Sequence, residues 1–333
     1  MIEKEKNSIK AEEKILNTKE IEECLKEVEK KLGKECVVPL SSEEKINTKR
    51  CSSGFLSLDE ILGGGFPYGR VIEIYGPEGT GKTTLALHAI AEVQKKGGTA
   101  LFIDSEHSLN PDYVENIGID KKKLLFSQPN CGEDAFTLIS LMQETVDIIV
   151  VDSVASLVPK AIIEGDIEDN QIALQARLMS KGMGIIINKN KKLKSIIIFI
   201  NQLRSKPGIT FGTSETTTGG KALKYYSSIR LEIRRTEFIK EGDKNIGSKV
   251  KIKSMKNKVA SPYQECYMDL IYGKGFDKYN DILEMAIRKN IIKKTASWYE
   301  YNGNKIAQGK ENTINYLKKN PKEFEKINME ILK

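Results

Sequence analysis

The stretch Val71-Ile72-Glu73-Ile74-Tyr75-Gly76-Pro77-Glu78-Gly79-Thr80-Gly81-Lys82-Thr83-Thr84 decides the fold of this 333-residue chain. Gly76 to Thr83 fit the phosphate-loop pattern G-x-x-x-x-G-K-[ST], set between an apolar strand and a helix-forming run, Leu85 to Val93. Glycine at 76, 79 and 81 lets the backbone curl and bring its N–H groups to phosphate oxygens. The helix beginning near Lys82 aims its positive dipole end at the same anion. Lys82 supplies a point charge to the outer phosphates, and the Thr83 hydroxyl suits Mg2+. Pro77, Glu78, Thr80 and Thr84 complete the cradle. The flanking strand and helix favour nucleotide binding over an ordinary glycine-rich turn.

Outward from the loop, apolar strand-length runs alternate with helical patterns. Strands are expected at Val71–Tyr75, Ala100–Asp104, Leu124–Phe126, Ile148–Asp152, Ile196–Asn201 and Ile229–Arg234, with Lys249–Lys253 and Glu265–Ile271 as later strands of one sheet. Continuous runs such as Ile148-Ile149-Val150-Val151 suit strands buried on both faces. The fold class is α/β, a mostly parallel central sheet flanked by helices. Before it, Ile21, Leu25, Val28 and Leu32 form one stripe on a helix that begins at Ile15 and that Gly33 ends. Such a helix packs on its own domain or docks on another copy. Val37-Val38 reads as a short strand stopped by Pro39, and Ser41 to Cys51 as a linker. After Gly275, Ile282–Ile292 and Thr313–Leu317 look helical around a turn-rich Trp298–Gly309, a small α+β appendage. The expected division is 1–44, 45–275 and 276–333. Residues 1 to about 14 read as a frayed lead-in.

The net charge is +7, which favours a polyanionic partner. The cysteines are odd in number (Cys24, Cys36, Cys51, Cys131, Cys266) and form no C-x-x-C pair. A disulfide framework and a zinc module are therefore not expected, and the setting reads as reducing and cytoplasmic. The charged start, Met1 to Lys6, is no secretory signal, and apolar runs such as Ser195–Ile200 are too short to span a membrane.

Ligands of such sheets sit at the carboxyl ends of the strands. Asp152 ends one strand and suits the acid that holds Mg2+ or its water shell. Asp104 and Glu106 end a second; either could orient the water that attacks a γ-phosphate. His107 and, inside the helix after the loop, His88 read as structural. Gln202 ends a third strand, where an amide can bond a γ-phosphate without adding charge. Leu203 to Gly220, with Arg204, Lys206, Gly208, Gly219, Gly220 and Lys221, suits a ligand-gated loop that tracks a phosphate backbone.

These residues resemble the bacterial RecA recombinase family. The matching segments include Ser57-Leu58-Asp59, Gly63-Gly64-Gly65, Phe102-Ile103-Asp104-Ser105-Glu106-His107, Val150-Val151-Asp152-Ser153-Val154-Ala155, Phe199-Ile200-Asn201-Gln202 and Glu215-Thr216-Thr217-Thr218-Gly219-Gly220. The resemblance covers about Ser52 to Tyr316. It implies a DNA-dependent ATPase, using ATP and Mg2+, that polymerises as a homo-oligomeric filament on single-stranded DNA. The filament exchanges strands with a homologous double-stranded DNA and triggers self-cleavage of a LexA-like repressor. It implies that Glu106 activates the water, that Gln202 senses the γ-phosphate, and that Lys256 and Lys258 reach the ATP of a neighbouring subunit. Tyr113 would stack on adenine, and Tyr272 would contact the base from the neighbour. The first helix and Val37-Val38 would dock on the next protomer. Ile163–Ile172 and Leu203–Gly220 would be the DNA loops, with Arg177 and Ser180 as further contacts.

The chain departs from that family at several positions. Asn110 replaces an adenine-contacting Asp, leaving one acceptor, so a preference for ATP is expected to survive. Gly184 replaces a DNA-contacting Arg, with Lys181 nearby to compensate. Ser205 and Pro207 replace apolar loop residues, and Glu237 and Lys251 fall where repressor contacts are proposed. The chain ends at Lys333 without an acidic cluster, so DNA binding is expected to be less Mg2+-dependent than in tailed relatives. A replicative helicase of the same fold and a non-hydrolysing nucleotide switch are the rival readings.

Overall fold

A computed structural model describes residues 19–33, 37, 49–165, 171–188, 194–205 and 215–332. The chain divides into two units, residues 1–48 and residues 49–333. In the first, α1 (Lys19–Leu32) carries the expected stripe and ends as the glycine signal predicts. Gly33 takes φ +91° and donates its N–H to the Glu29 carbonyl at 2.9 Å. Val37 lies in a bend, not in the expected strand. Residues 1–18, Val38, Pro39 and residues 41–48 lie outside the described residues.

In the second unit, β1 (Arg50–Cys51) pairs antiparallel with β2 (Phe66–Pro67). The end of the expected linker is thus a short strand, held because Cys51 is buried in the core. Helix α2 (Leu56–Leu62) lies between them.

The central sheet is built from β3 (Val71–Gly76), β4 (Ala100–Asp104), β5 (Leu124–Ser127), β6 (Ile148–Asp152), β7 (Ile196–Ser205), β9 (Ile229–Glu241), β10 (Lys244–Asn257), β11 (Glu265–Ile271) and β12 (Gly275–Phe276). Its order is β12-β11-β10-β9-β3-β7-β6-β4-β5, and β8 (Glu215–Thr217) pairs with the end of β7. From β9 to β5 every pairing is parallel; β10 to β12 extend the sheet antiparallel. Side chains alternate faces along each strand. Ile72, Ile74, Ile148, Val150, Ile196, Ile198 and Ile200 bury against α3 (Lys82–Lys95) and α2. Val71, Ile149, Val151, Ile197 and Phe199 bury on the other face, with α5 (Gly132–Met142), α7 (Gln171–Asn188) and α8 (Ala222–Tyr226). Both faces are buried, which is why these strands read as unbroken apolar runs. Truncating a side chain such as Ile72 to Ala would cost about 2–5 kcal/mol.

Leu203–Gly220 is not wholly irregular. Leu203, Arg204 and Ser205 pair with Thr217, Thr216 and Glu215, so its two ends close as a ladder of β-favouring threonines. Residues 206–214, including Lys206, Pro207 and Gly208, and residues 166–170 of the other expected loop lie outside the described residues. Short helix α6 (Lys160–Glu164) precedes the latter.

A third apolar cluster joins α9 (Lys278–Arg288), α10 (Lys310–Lys319) and α11 (Pro321–Ile331). The expected turn-rich Trp298–Gly309 is instead part of a three-stranded antiparallel sheet, β13 (Ile292–Thr295), β14 (Trp298–Tyr301) and β15 (Asn304–Gln308). Asn302-Gly303, both at positive φ, make its tight hairpin, so what looked like turn signal is the corner between strands. This cluster is tied to the main core through Asp281, whose carboxylate accepts from the Leu56 N–H at 2.6 Å and from Ser57.

Candidate functional site: the phosphate loop and the strand ends beside it

Between β3 and α3, Gly79 and Gly81 take φ +68° and +88°, a left-handed region that curls the loop around its own N–H groups. Lys82 is buried, and its Nζ donates to the Pro77 carbonyl at 2.7 Å. Burial pushes its ammonium pKa down, while Asp152, Glu106 and Glu78 pull it up. Thr83 Oγ1 donates to Asp152 Oδ2 at 2.5 Å. Burial pushes the Asp152 carboxyl up to about 6, against the Thr83 bond; Glu106 and Asp104 add to the rise. A desolvated carboxylate beside a hydroxyl at a strand end is a donor set with a need for a cation, so these residues fit Mg2+.

Glu106 and Asp104 separate by environment. Asp104 is buried, and its oxygens accept from the N–H groups of Ser108 and Leu109 and from Gln128 Nε2, each at 3.3 Å. It organises the loop after β4. Glu106 is exposed and accepts from Ser153 Oγ and, at 3.0 Å, from Gln202 Nε2. Gln202 does not end its strand as expected, since β7 runs on to Ser205 to pair with β8; the ends of β4 and β6 converge beside the loop with the point where β7 leaves β3. Backbone bonds from the Ser105 and Glu106 N–H groups to the Asp152 carbonyl, at 2.7 and 3.2 Å, fix β4 against β6 there.

Tyr113, in α4 (Pro111–Asn116), shares a hydrogen bond with Thr84 Oγ1 at 2.8 Å, which places it beside the start of α3. His88 is buried against Phe55 and Phe276, with ring centroids 4.9 and 6.0 Å away, and its Nε2 accepts from the Phe276 N–H at 3.1 Å. Lys256 lies elsewhere: its Nζ donates to the carbonyls of Lys224 and Tyr225 at 2.8 and 2.9 Å. Among the described residues, no hydrogen bond or ion pair joins Lys256, Lys258 or half-exposed Tyr272 to the loop. Arg177, Ser180, Arg204, Gly220 and Lys221 are exposed, and Gly219 is buried at φ +77°.

Sequence reading passed over several residues that hold this arrangement. Ser153 bonds Glu106, and Gln175 Nε2 donates to the Val154 carbonyl at 3.0 Å. Asn201 and Glu73 form a buried pair at 2.9 Å. Glu73 had a legible signal, a lone carboxylate inside an apolar strand, which must find a partner.

A parallel sheet with a phosphate loop after one strand, an acid after the next but one and a carboxylate–amide pair facing it defines a nucleotide-hydrolysing α/β protein. Residues 19–277 match the model of the RecA N-terminal domain, and residues 280–333 that of the RecA C-terminal domain. The relatives include Protein RecA of Mycoplasma mycoides, 47% identical over 99% of this chain and 96% of that one. Protein RecA of Lactobacillus johnsonii is 48% identical over 93% and 87% of the two chains. That of Acinetobacter baylyi is 48% identical over 91% and 88%. The chain belongs to the RecA family. It is a DNA-dependent ATPase and recombinase that binds single- and double-stranded DNA, forms filaments and exchanges strands. No described helix is long and apolar enough to cross a membrane.

Proposed function

We propose that the chain hydrolyses ATP with Mg2+ in a pocket completed by a neighbouring protomer, and that the γ-phosphate governs its grip on DNA. The observation that carries this reading is the Glu106–Gln202 hydrogen bond of 3.0 Å at converging strand ends. One amide can donate to the carboxylate or to a phosphate oxygen, which makes it a sensor of the γ-phosphate. Residues 215–217 return from the DNA loop as β8, paired with the strand that carries Gln202, so the sensor and the loop share one backbone ladder.

Thr83 and Asp152 would hold the Mg2+, which when bound neutralises charge on the transferring phosphoryl group. Lys82 and the loop N–H groups bind the phosphates. Glu106 orients a water and takes its proton as the water oxygen bonds the γ-phosphorus; the bond to the bridging oxygen breaks and ADP leaves with the electron pair. Lys256 and Lys258 serve the neighbour's phosphates, and Tyr113 and Tyr272 face the adenine from the two sides. Arg177, Ser180, Arg204, Lys206, Gly208, Gly219, Gly220 and Lys221 form the DNA surface. Backbone contacts carry no sequence information, which suits a protein that accepts any strand.

Residues 1–44 would serve assembly, 45–275 catalysis and DNA binding, and 276–333 would form an appended domain. A LexA-like repressor is the further partner and the cytoplasm the setting; the described cysteines, all unpaired, suit it. The test is ATPase rate against Mg2+ concentration for wild type and Asp152→Asn, with and without single-stranded DNA. The variant is expected to need far more Mg2+. An unchanged requirement would remove Asp152 from the metal site.

A further inference from the structure

A chain of buried polar side chains crosses the sheet at β9, β3 and β7 and has no part in the chemistry above. Glu73 is fully buried in β3. Its Oε2 accepts from Arg230 Nε at 2.5 Å and its Oε1 from Asn201 Nδ2 at 2.9 Å. Asn201 is bonded in turn to its neighbour Gln202 and to Thr218, the residue after β8. Its Oδ1 accepts from Thr218 Oγ1 at 2.5 Å and from the Gln202 N–H at 2.9 Å, and its Nδ2 also donates to the Thr218 carbonyl at 3.1 Å. On the other side, Arg230 stacks over Tyr75 at 4.5 Å and stands opposite Lys256 in the β9–β10 ladder. One bonded path thus runs from the strand carrying Lys256, through Arg230, Glu73 and Asn201, to Gln202 and the exit of the DNA loop.

A buried ion pair stabilises a fold no better than packed apolar side chains of similar volume, so stability alone is a poor reason for a carboxylate in an apolar strand. A fixed, fully bonded network is instead a rigid connection with few alternative arrangements. Lys256 meets the network as the cross-strand partner of Arg230, on the same face of the β9–β10 ladder, while its own ammonium is held by the Lys224 and Tyr225 carbonyls.

We propose that Glu73 is a positioning residue that couples successive nucleotide sites along the filament. It locks Lys256, which faces the neighbour's phosphates, to Gln202, which faces its own. This inference rests on the roles given above to Lys256 and Gln202. A shift of Lys256 on engaging the next nucleotide is passed to Gln202 and Thr218 of the same protomer, so occupancy of one site biases the next.

The test is an ATP titration of DNA-stimulated hydrolysis for wild type, Glu73→Gln and the apolar pair Glu73→Met/Arg230→Met, with melting curves and nucleotide binding measured alongside. Wild type is expected to respond cooperatively. Glu73→Gln is expected to bind nucleotide normally, to lose about 10-fold or more in saturated rate and to drop to a Hill coefficient of about 1. The Met pair restores packing and stability without restoring cooperativity. A folded Glu73→Gln or Met-pair protein with the wild-type Hill coefficient would overturn the proposal, as would rate and melting temperature falling together with cooperativity intact. Glu106→Gln, run in parallel, separates the two levels. If it is inactive while Glu73→Gln stays cooperative, only the relay fails; if it turns over normally, the pocket fails and the relay with it.

Discussion

Gln202 Nε2 donates to Glu106 Oε1 at 3.0 Å, so the last β7 residue paired with β3 and the first residues after β4 meet beside the phosphate loop. The neighbouring Asp104 is committed to backbone N–H groups. Glu106→Gln is therefore expected to lower turnover by about 10²–10⁴-fold while ATP and single-stranded DNA binding persist. Asp104→Asn should instead cost about 1–3 kcal/mol of stability. Single-turnover hydrolysis with filter binding and denaturant melts checks both. Equal turnover losses at the two positions, without a stability difference, would contradict the assignment.

Base selectivity should depart from the expectation drawn from the sequence. Asn110 Oδ1 caps α4, accepting from the N–H groups of Asp112 and Tyr113 at 2.9 and 3.2 Å. The acceptor expected to remain for adenine is spent, and the outward group is an NH2 donor. A donor there suits the O6 of hypoxanthine better than the adenine amine. Asn110→Asp is expected to raise the ATP-to-ITP ratio of kcat/KM by about 10-fold, the worth of one hydrogen bond. An unchanged ratio would place residue 110 away from the base.

Acid should loosen the fold through His88. Burial holds its folded pKa near 4 against an ordinary 6.5. Between those values the unfolded chain binds the proton and the folded chain does not. Its contribution is therefore complete above pH 6.5 and is lost as pH falls toward 4, by up to about 3 kcal/mol. Urea melts at pH 7 and 5 should show this loss in wild type and a smaller one in His88→Gln.

The central strands β3, β4 and β6 were legible because they are buried on both faces, and the candidate residues Lys82 and Asp152 stand in the loop-to-helix turn after β3 and at the end of β6. Ile148–Asp152 and Glu265–Ile271 have the bounds their apolar patterns indicate. Other features depend on partners remote in sequence. Nothing local separates Glu106 from Asp104; the difference is that Gln128 and the Ser108 and Leu109 N–H groups fold back onto Asp104 alone. The Glu73–Arg230 pair spans two strands adjacent in space but distant in the chain. The strands after Ile292 are short, and the Asn302-Gly303 corner masked β14 and β15 on either side of it.

The segment proposed to grip DNA, Leu203 to Gly220, should be sensitive at its exit. Gly219 has φ +77°, and a Cβ there would lie 2.8 Å from Val154 Cγ1 and 3.1 Å from Met179 Cγ. Gly219→Ala is expected to cost about 1–3 kcal/mol and to weaken single-stranded DNA binding. Gly242→Ala has similar backbone strain at φ +58° but nothing within 4 Å, and should leave DNA affinity unchanged. Melting curves and DNA titrations at fixed salt distinguish the two.

The most direct test of a pocket shared between protomers is complementation. Glu106→Gln chains keep their lysines but lack the carboxylate; Lys256→Ala/Lys258→Ala chains keep the carboxylate but lack the lysines. Each alone is expected to be inactive on single-stranded DNA. A one-to-one mixture should recover about one quarter of the wild-type ATPase rate, the chance that a random pocket draws an intact half from each side of a head-to-tail contact. A mixture no more active than its separate components would show that the lysines serve no neighbouring site.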